Sequence, residues 1–181
     1  MVSLVNSSSV ERWNSWGRLR LLTEVADDEL SLSTEQQNSV DLPIDSKSLV
    51  VASAGSGKTL VLACRIKHLL SEDQVGPGQI LTLSFSRAAV SAVRQSLVGV
   101  AASRSVFVRT FDSFCTQLLS SFSRNDAWMS FGYDDRVQAS IELLSSSEDA
   151  RSFVADLKHI LVDEVQDLVG IRASFVASLL S

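Results

Sequence analysis

Two short stretches carry residue types suited to phosphate chemistry. The first is Ala52–Thr59, "ASAGSGKT". Gly55 and Gly57 permit a tight turn whose backbone N–H groups close around phosphate oxygens, and a following helix would add the positive end of its dipole. Lys58 is spaced to reach the β- and γ-phosphates of a nucleotide, and Thr59 to offer its hydroxyl to Mg²⁺. Ser53, Ala54, Gly55, Ser56, Gly57, Lys58 and Thr59 are therefore the candidate ATP-binding residues, although Ala52 stands where the pattern opens on glycine. The competing reading is a glycine-rich turn that binds nothing.

The second stretch is "ILVDEVQD", residues 160–167, where an apolar run stops at two acids. An acid at the tip of a strand beside a phosphate loop holds Mg²⁺ directly or through water. Asp163 is the candidate metal ligand, together with Thr59. Glu164 is placed to take a proton from the water that attacks the γ-phosphate. Two acids after a strand signal little by themselves, but with the phosphate loop they describe a Mg²⁺–ATP site.

Positioning these groups requires strands that end at them. "SLVVAS" (48–53), "ILTLSF" (80–85), "VFVRT" (106–110) and "KHILVD" (158–163) read as buried strands. Between and after them, 58–70, 87–97, 111–122, 134–144, 149–157 and 172–180 read as helices. Ser86 is expected to cap the second of these, and a Ser-rich loop is expected at 145–147. Thr34 is a candidate cap for an upstream helix at Glu35 and Gln36. Apolar strands alternating with helices imply an α/β fold with a mainly parallel sheet flanked by helices. Residues 1–31 read as a leader, partly helical through Trp13, Trp16 and Leu19.

Composition narrows the class. The chain has 181 residues, 45% of them hydrophobic, enough for one sizeable core. No apolar stretch approaches the ~20 residues that cross a bilayer, and the N-terminus lacks signal-peptide character, so no membrane association and a cytoplasmic location are expected. The net charge of −5 conceals a basic middle, with seven basic and two acidic side chains between positions 58 and 109. That region suits a local phosphate surface, while the acidic ends argue against a general DNA coat. Cys64 and Cys115 fit no ligand spacing and read as buried thiols.

The motifs together resemble superfamily 1 DNA helicases of the UvrD/Rep type. "AGSGKT" matches the family's phosphate loop and "DEVQD" its DExQD motif. "LSTEQQNSV" resembles its upstream glutamine motif, "LTLSFSRAAV" its motif Ia, and "RTFDSF" its T-F-H-S-F motif. The resemblance covers residues 32–170. It implies a RecA-like ATP-binding domain over 32–181, with a short insertion at about 120–157. It also implies ATP and Mg²⁺ as cofactors and single-stranded DNA as a partner. Gln36 would recognise adenine. Lys58, Glu164 and Gln166 would form the catalytic set, with Gln166 coupling nucleotide to DNA. Ser84, Phe85, Arg87 and Thr110 would line the DNA track. Phe85 as a core aromatic and Arg87 as a surface charge are the alternatives at those two positions.

The departures limit the expectation. Asp112 stands where the family often has His, and Leu60 where many relatives have Arg. The family's later motifs and its second RecA-like domain are expected from a second chain or a C-terminal region. Without them the chain is expected to be a motor-domain fragment that binds Mg²⁺–ATP and does not unwind. Two other readings stand beside it. One is an ATP-dependent binding or regulatory module that has lost helicase activity. The other is a small-molecule kinase, against which "DEVQD" and "TFDSF" argue.

Overall fold

In the computed structural model, strand β1 (Ile80–Ser84) is buried at every position, because helices cover both of its faces. It is the centre of a three-stranded parallel sheet with β2 (Phe107–Thr110) on one side and β3 (His159–Val162) on the other. Leu81 pairs with Phe107 and Leu83 with Arg109, while Leu81 and Leu83 face Ile160 and Val162 across the other edge. The structure describes residues 32–53, 55–72, 75–100 and 102–180. The leader 1–31 and Ala54 lie outside them. Residues 34–181 fall in one compact unit.

Alternation along the strands divides the core. Leu81 and Leu83 point to a cluster with Phe111, Phe114, Leu118, Val137 and Phe175. Ile80, Val106 and Val108 point the other way, to Ala63, Ile66, Leu69, Val90 and Val93. The second face is covered by α2 (Lys58–Ser71) and α3 (Arg87–Ser96). The first is covered by α4 (Phe111–Phe122), α5 (Tyr133–Ser146), α6 (Glu148–Ala155) and α7 (Ile171–Leu179). The sheet sandwiched between helices is the α/β architecture expected. Each fully buried Phe or Leu contributes about 1.5–3 kcal/mol by leaving water.

Helix starts follow local chemistry. Ser86 Oγ accepts the Ala89 N–H at 3.0 Å and caps α3 as expected. Thr110 Oγ1 accepts from Ser113 N at 3.2 Å and caps α4. The helix α1 (Thr34–Val40) forms where one was expected, but Thr34 is its first helical residue rather than the cap before it. The serine loop expected at 145–147 shrinks to Ser147. The hydroxyls of Ser145 and Ser146 donate back to the carbonyls of Ile141 and Glu142, so both residues stay helical.

One expected strand is absent. Residues 48–53 have no regular secondary structure and lie outside the sheet, with Leu49 67% and Val51 87% exposed. The apolar run showed only that the segment tolerates burial on both faces. A strand also needs a neighbouring edge to take its N–H and C=O groups, and among the described residues none does.

Candidate nucleotide site

The phosphate loop ends in a left-handed turn. Gly55 has φ of 77° and Gly57 of 80°. An L-residue held there costs about 1–2 kcal/mol, which is the physical need for glycine. Gly57 is also the residue from which α2 springs, and no side chain caps that end. Its first N–H groups are therefore free for an acceptor from outside the helix. Ser56 Oγ donates to Ser53 O at 2.7 Å and closes the turn. Lys58 Nζ lies 3.4 Å from Ala52 O and 3.5 Å from Ser53 O, folded back over the loop.

Helix α1 reaches the same loop. Gln36 Nε2 donates to Ser56 O at 2.9 Å. A Cβ added at Gly57 would sit 2.9 Å from that nitrogen, so the glutamine is seated directly against the turn. Arg65, buried on α2, holds α1 in place by donating to Val40 O at 2.8 Å and Pro43 O at 3.5 Å. Sequence reasoning missed Arg65. Its signal was a charged residue one position before Ile66, on the side of α2 that the apolar pattern marks as buried.

At the far end of β3, Asp163 is 8% exposed, and its N–H donates to Leu83 O at 2.9 Å. Burial pushes its carboxyl above the usual range, and the neighbouring charge of Glu164 pushes it further. The backbone at Glu164, the Lys58 ammonium and the Ser84 hydroxyl pull the other way. Lys58 and Asp163, 105 positions apart, are thus near enough for the charge of one to act on the other. Glu164 occupies the left-handed region at φ 55°, strain that recurs at functional positions. Gln166 Nε2 donates to the Glu164 carboxylate.

The remaining predicted residues lie near the same ends of β1 and β2. Ser84 is 2% exposed and its hydroxyl faces Asp163, so in this conformation it has no surface to give to a DNA strand. Phe85 is half-buried, with its ring centroid 4.7 Å from that of Phe111. Arg87 is exposed at the start of α3, and Thr110 spends its hydroxyl on the cap. Asp112 is tied to Arg136 at 3.3 Å, which offsets its charge. Cys115 is fully buried as expected, and that burial pushes its thiol up to about 12. Cys64, expected buried too, is only partly covered, because it sits on the side of α2 away from Ala63 and Ile66.

A Mg²⁺ ion fits these residues. Among the described residues, no three His, Cys, Asp or Glu side chains converge on one point. Mg²⁺ bound with a nucleotide does not need such a cage, because phosphate oxygens and water complete its shell around one or two protein ligands. A desolvated Asp163 beside another acid is an anion that a cation would stabilise.

A family model, the UvrD/REP helicase N-terminal domain, matches residues 32–131. The chain belongs to this family. It is 34% identical to the ATP-dependent DNA helicase UvrD1 of Mycobacterium tuberculosis (strain ATCC 25618 / H37Rv), over 81% of this chain and 21% of that protein. It is 41% identical to the UvrD1 of Mycobacterium leprae over 46% of this chain and 11% of the relative. The ATP-dependent DNA helicase PcrA of Staphylococcus aureus (strain NCTC 8325 / PS 47) is 37% identical over 49% of this chain and 12% of its own length. The chain thus spans about a fifth or less of these relatives. Among the described residues no helix is long and apolar enough to cross a membrane.

Proposed function

We propose that the chain is the ATP-binding motor domain of a UvrD-type DNA helicase, which binds Mg²⁺–ATP and single-stranded DNA and works against a second RecA-like domain. The observation that carries this reading is the seating of Gln36 against the glycine turn that opens α2, with Lys58 folded over the same loop and its charge acting on Asp163.

Each residue then has a task. The backbone from Ser53 to Gly57 cradles the phosphates, and Lys58 swings from the loop carbonyls to neutralise the γ-phosphate. Thr59 and Asp163 would hold Mg²⁺, which when bound neutralises charge on the phosphate oxygens. Glu164 accepts the proton of the attacking water, and the Gln166 amide orients that carboxylate. Gln36, anchored to Ser56, reads the adenine edge. Arg87, Thr110 and the exposed edge of Phe85 form the DNA track.

ATP hydrolysis measured with and without single-stranded DNA tests the assignment, on this chain and on one extended by a second motor domain. Slow hydrolysis by this chain and DNA stimulation of the extended form are expected, with no duplex unwinding by this chain alone. Lys58→Ala should abolish nucleotide binding. Unchanged ATP affinity in that variant would remove the basis for the site.

A further inference from the structure

Helix α1 carries Gln36, yet little of α1 is anchored by packing. Of its seven residues only Val40 is buried. A helix this short is not stable by itself in water. Residues 43–53, which join α1 to the phosphate loop, are exposed throughout and give it no support. We propose that Arg65 is a positioning residue for base selectivity: its guanidinium clamps the end of α1 and so keeps Gln36 where it tells adenine from guanine. This rests on the reading of Gln36 as the adenine contact.

Arg65 has the chemistry of a clamp. Only 8% of it is exposed. Its Nη1 donates to Val40 O at 2.8 Å, one of the terminal carbonyls that a helix cannot satisfy internally. Its Nη2 reaches Pro43 O at 3.5 Å, in the chain just beyond the helix. A cation at this end also suits the helix dipole. Hydrogen bonds from a charged donor are the stronger kind, and the planar guanidinium holds its two acceptors in a fixed fork. A neighbouring contact, His68 Nδ1 to Asp41 Oδ1 at 3.6 Å, is longer and more exposed.

The clamp acts on the nucleotide through Gln36. Arg65 lies seven residues beyond Lys58, about 10 Å further along α2, and its head group is spent on the carbonyls of α1 and the chain after it. Near the start of α1, Gln36 Nε2 donates to Ser56 O at 2.9 Å.

That bond fixes which end of the amide faces the loop, and so which base edge it matches. Adenine presents a donor at N6 beside the acceptor N7, whereas guanine presents two acceptors. A glutamine amide pairs with the first pattern. If α1 swings, the amide loses this registration. The phosphate cradle belongs to the loop and α2, so it keeps its shape.

The test compares wild type with Gln36→Ala, Arg65→Met, Arg65→Lys and Gln36→Ala/Arg65→Met. Affinities for Mg²⁺–ATP, Mg²⁺–GTP and Mg²⁺–tripolyphosphate are read by calorimetric titration. Arg65→Met should weaken Mg²⁺–ATP roughly tenfold, the worth of about one hydrogen bond, and leave the other two ligands within about twofold. Arg65→Lys keeps the cation and one bond, and should recover about half of that loss on a logarithmic scale. The double variant should match Gln36→Ala, because both changes remove the same contact. Losses that add, or that fall equally on all three ligands, would overturn the proposal. Full ATP affinity in Arg65→Met beside a weakened Gln36→Ala would also overturn it, and would leave the adenine reading standing. If Gln36→Ala binds Mg²⁺–ATP as wild type does, the adenine reading fails and the proposal with it. Amide hydrogen exchange in the unliganded chain gives an independent readout. It should quicken over residues 34–41 in Arg65→Met, with β1 still protected. Unchanged exchange in α1, or lost protection in β1, would show that Arg65 does not act by holding α1.

Discussion

Gly57→Ala tests the nucleotide site at its tightest point. The new methyl group meets two costs. At φ 80° the alanine is in the left-handed region, worth about 1–2 kcal/mol. Its Cβ also lies 2.9 Å from Gln36 Nε2. That amide ends a flexible side chain and can swing away, but it then gives up its 2.9 Å bond to Ser56 O, worth about 0.5–1.5 kcal/mol. The total is about 1.5–3.5 kcal/mol. Charged against the binding-competent loop, this lowers nucleotide affinity by roughly tenfold to a few hundred-fold. Calorimetric titration of Mg²⁺–ATP reads it directly. A double-mutant cycle with Gln36→Ala separates the two costs. Without the glutamine only backbone strain remains, so Gly57→Ala should cost about 0.5–1.5 kcal/mol less there. Full affinity in Gly57→Ala would refute the left-handed requirement. A coupling of zero would show that Gln36 does not rest on this turn.

Three further outcomes follow from the same geometry. Asp163 has its carboxyl held above the usual range, so its neutral form favours the fold and its contribution is lost as pH rises through its titration. Without divalent cations, Asp163→Asn should therefore melt higher than wild type near neutrality, with the gap closing at acid pH, and should lose Mg²⁺-dependent nucleotide binding. A gap that widens on acidification would contradict the sign. Glu164→Gly removes left-handed strain but adds flexibility to the unfolded chain. Stability should stay within about 1 kcal/mol of wild type by urea titration while ATP turnover falls at least about a hundredfold. Val51→Ser should change stability by less than about 0.5 kcal/mol, because Val51 stands in solvent. A loss of about 1.5–3 kcal/mol in a denaturant titration would mean the segment is buried after all.

Much of the fold was legible because its signals are local. Ser86 and Thr110 cap helices through bonds that span three residues. The alternation of Leu81 and Leu83 with Ile80 follows from the two-residue period of a strand. The segment 48–53 misled for the converse reason. An apolar run reports what a segment tolerates, and whether an edge is there to receive it is a property of the rest of the chain.

The candidate site divides the same way. The glycines, Lys58, Asp163 and Glu164 declare themselves by type and spacing, because phosphate and Mg²⁺ chemistry admit few alternatives. Their grouping with Ser84 and Gln36 is tertiary. Ser84 looked like a DNA contact until packing turned its hydroxyl towards Asp163. Gln36 was assigned to adenine, and the fold adds that its amide rests on Ser56. The amino-acid sequence by itself determined the residue chemistry and the local elements, which depend on neighbours a few positions away. Which distant charges and amides share a pocket was decided only by tertiary structure, because electrostatics and hydrogen bonds act across space without regard to chain separation.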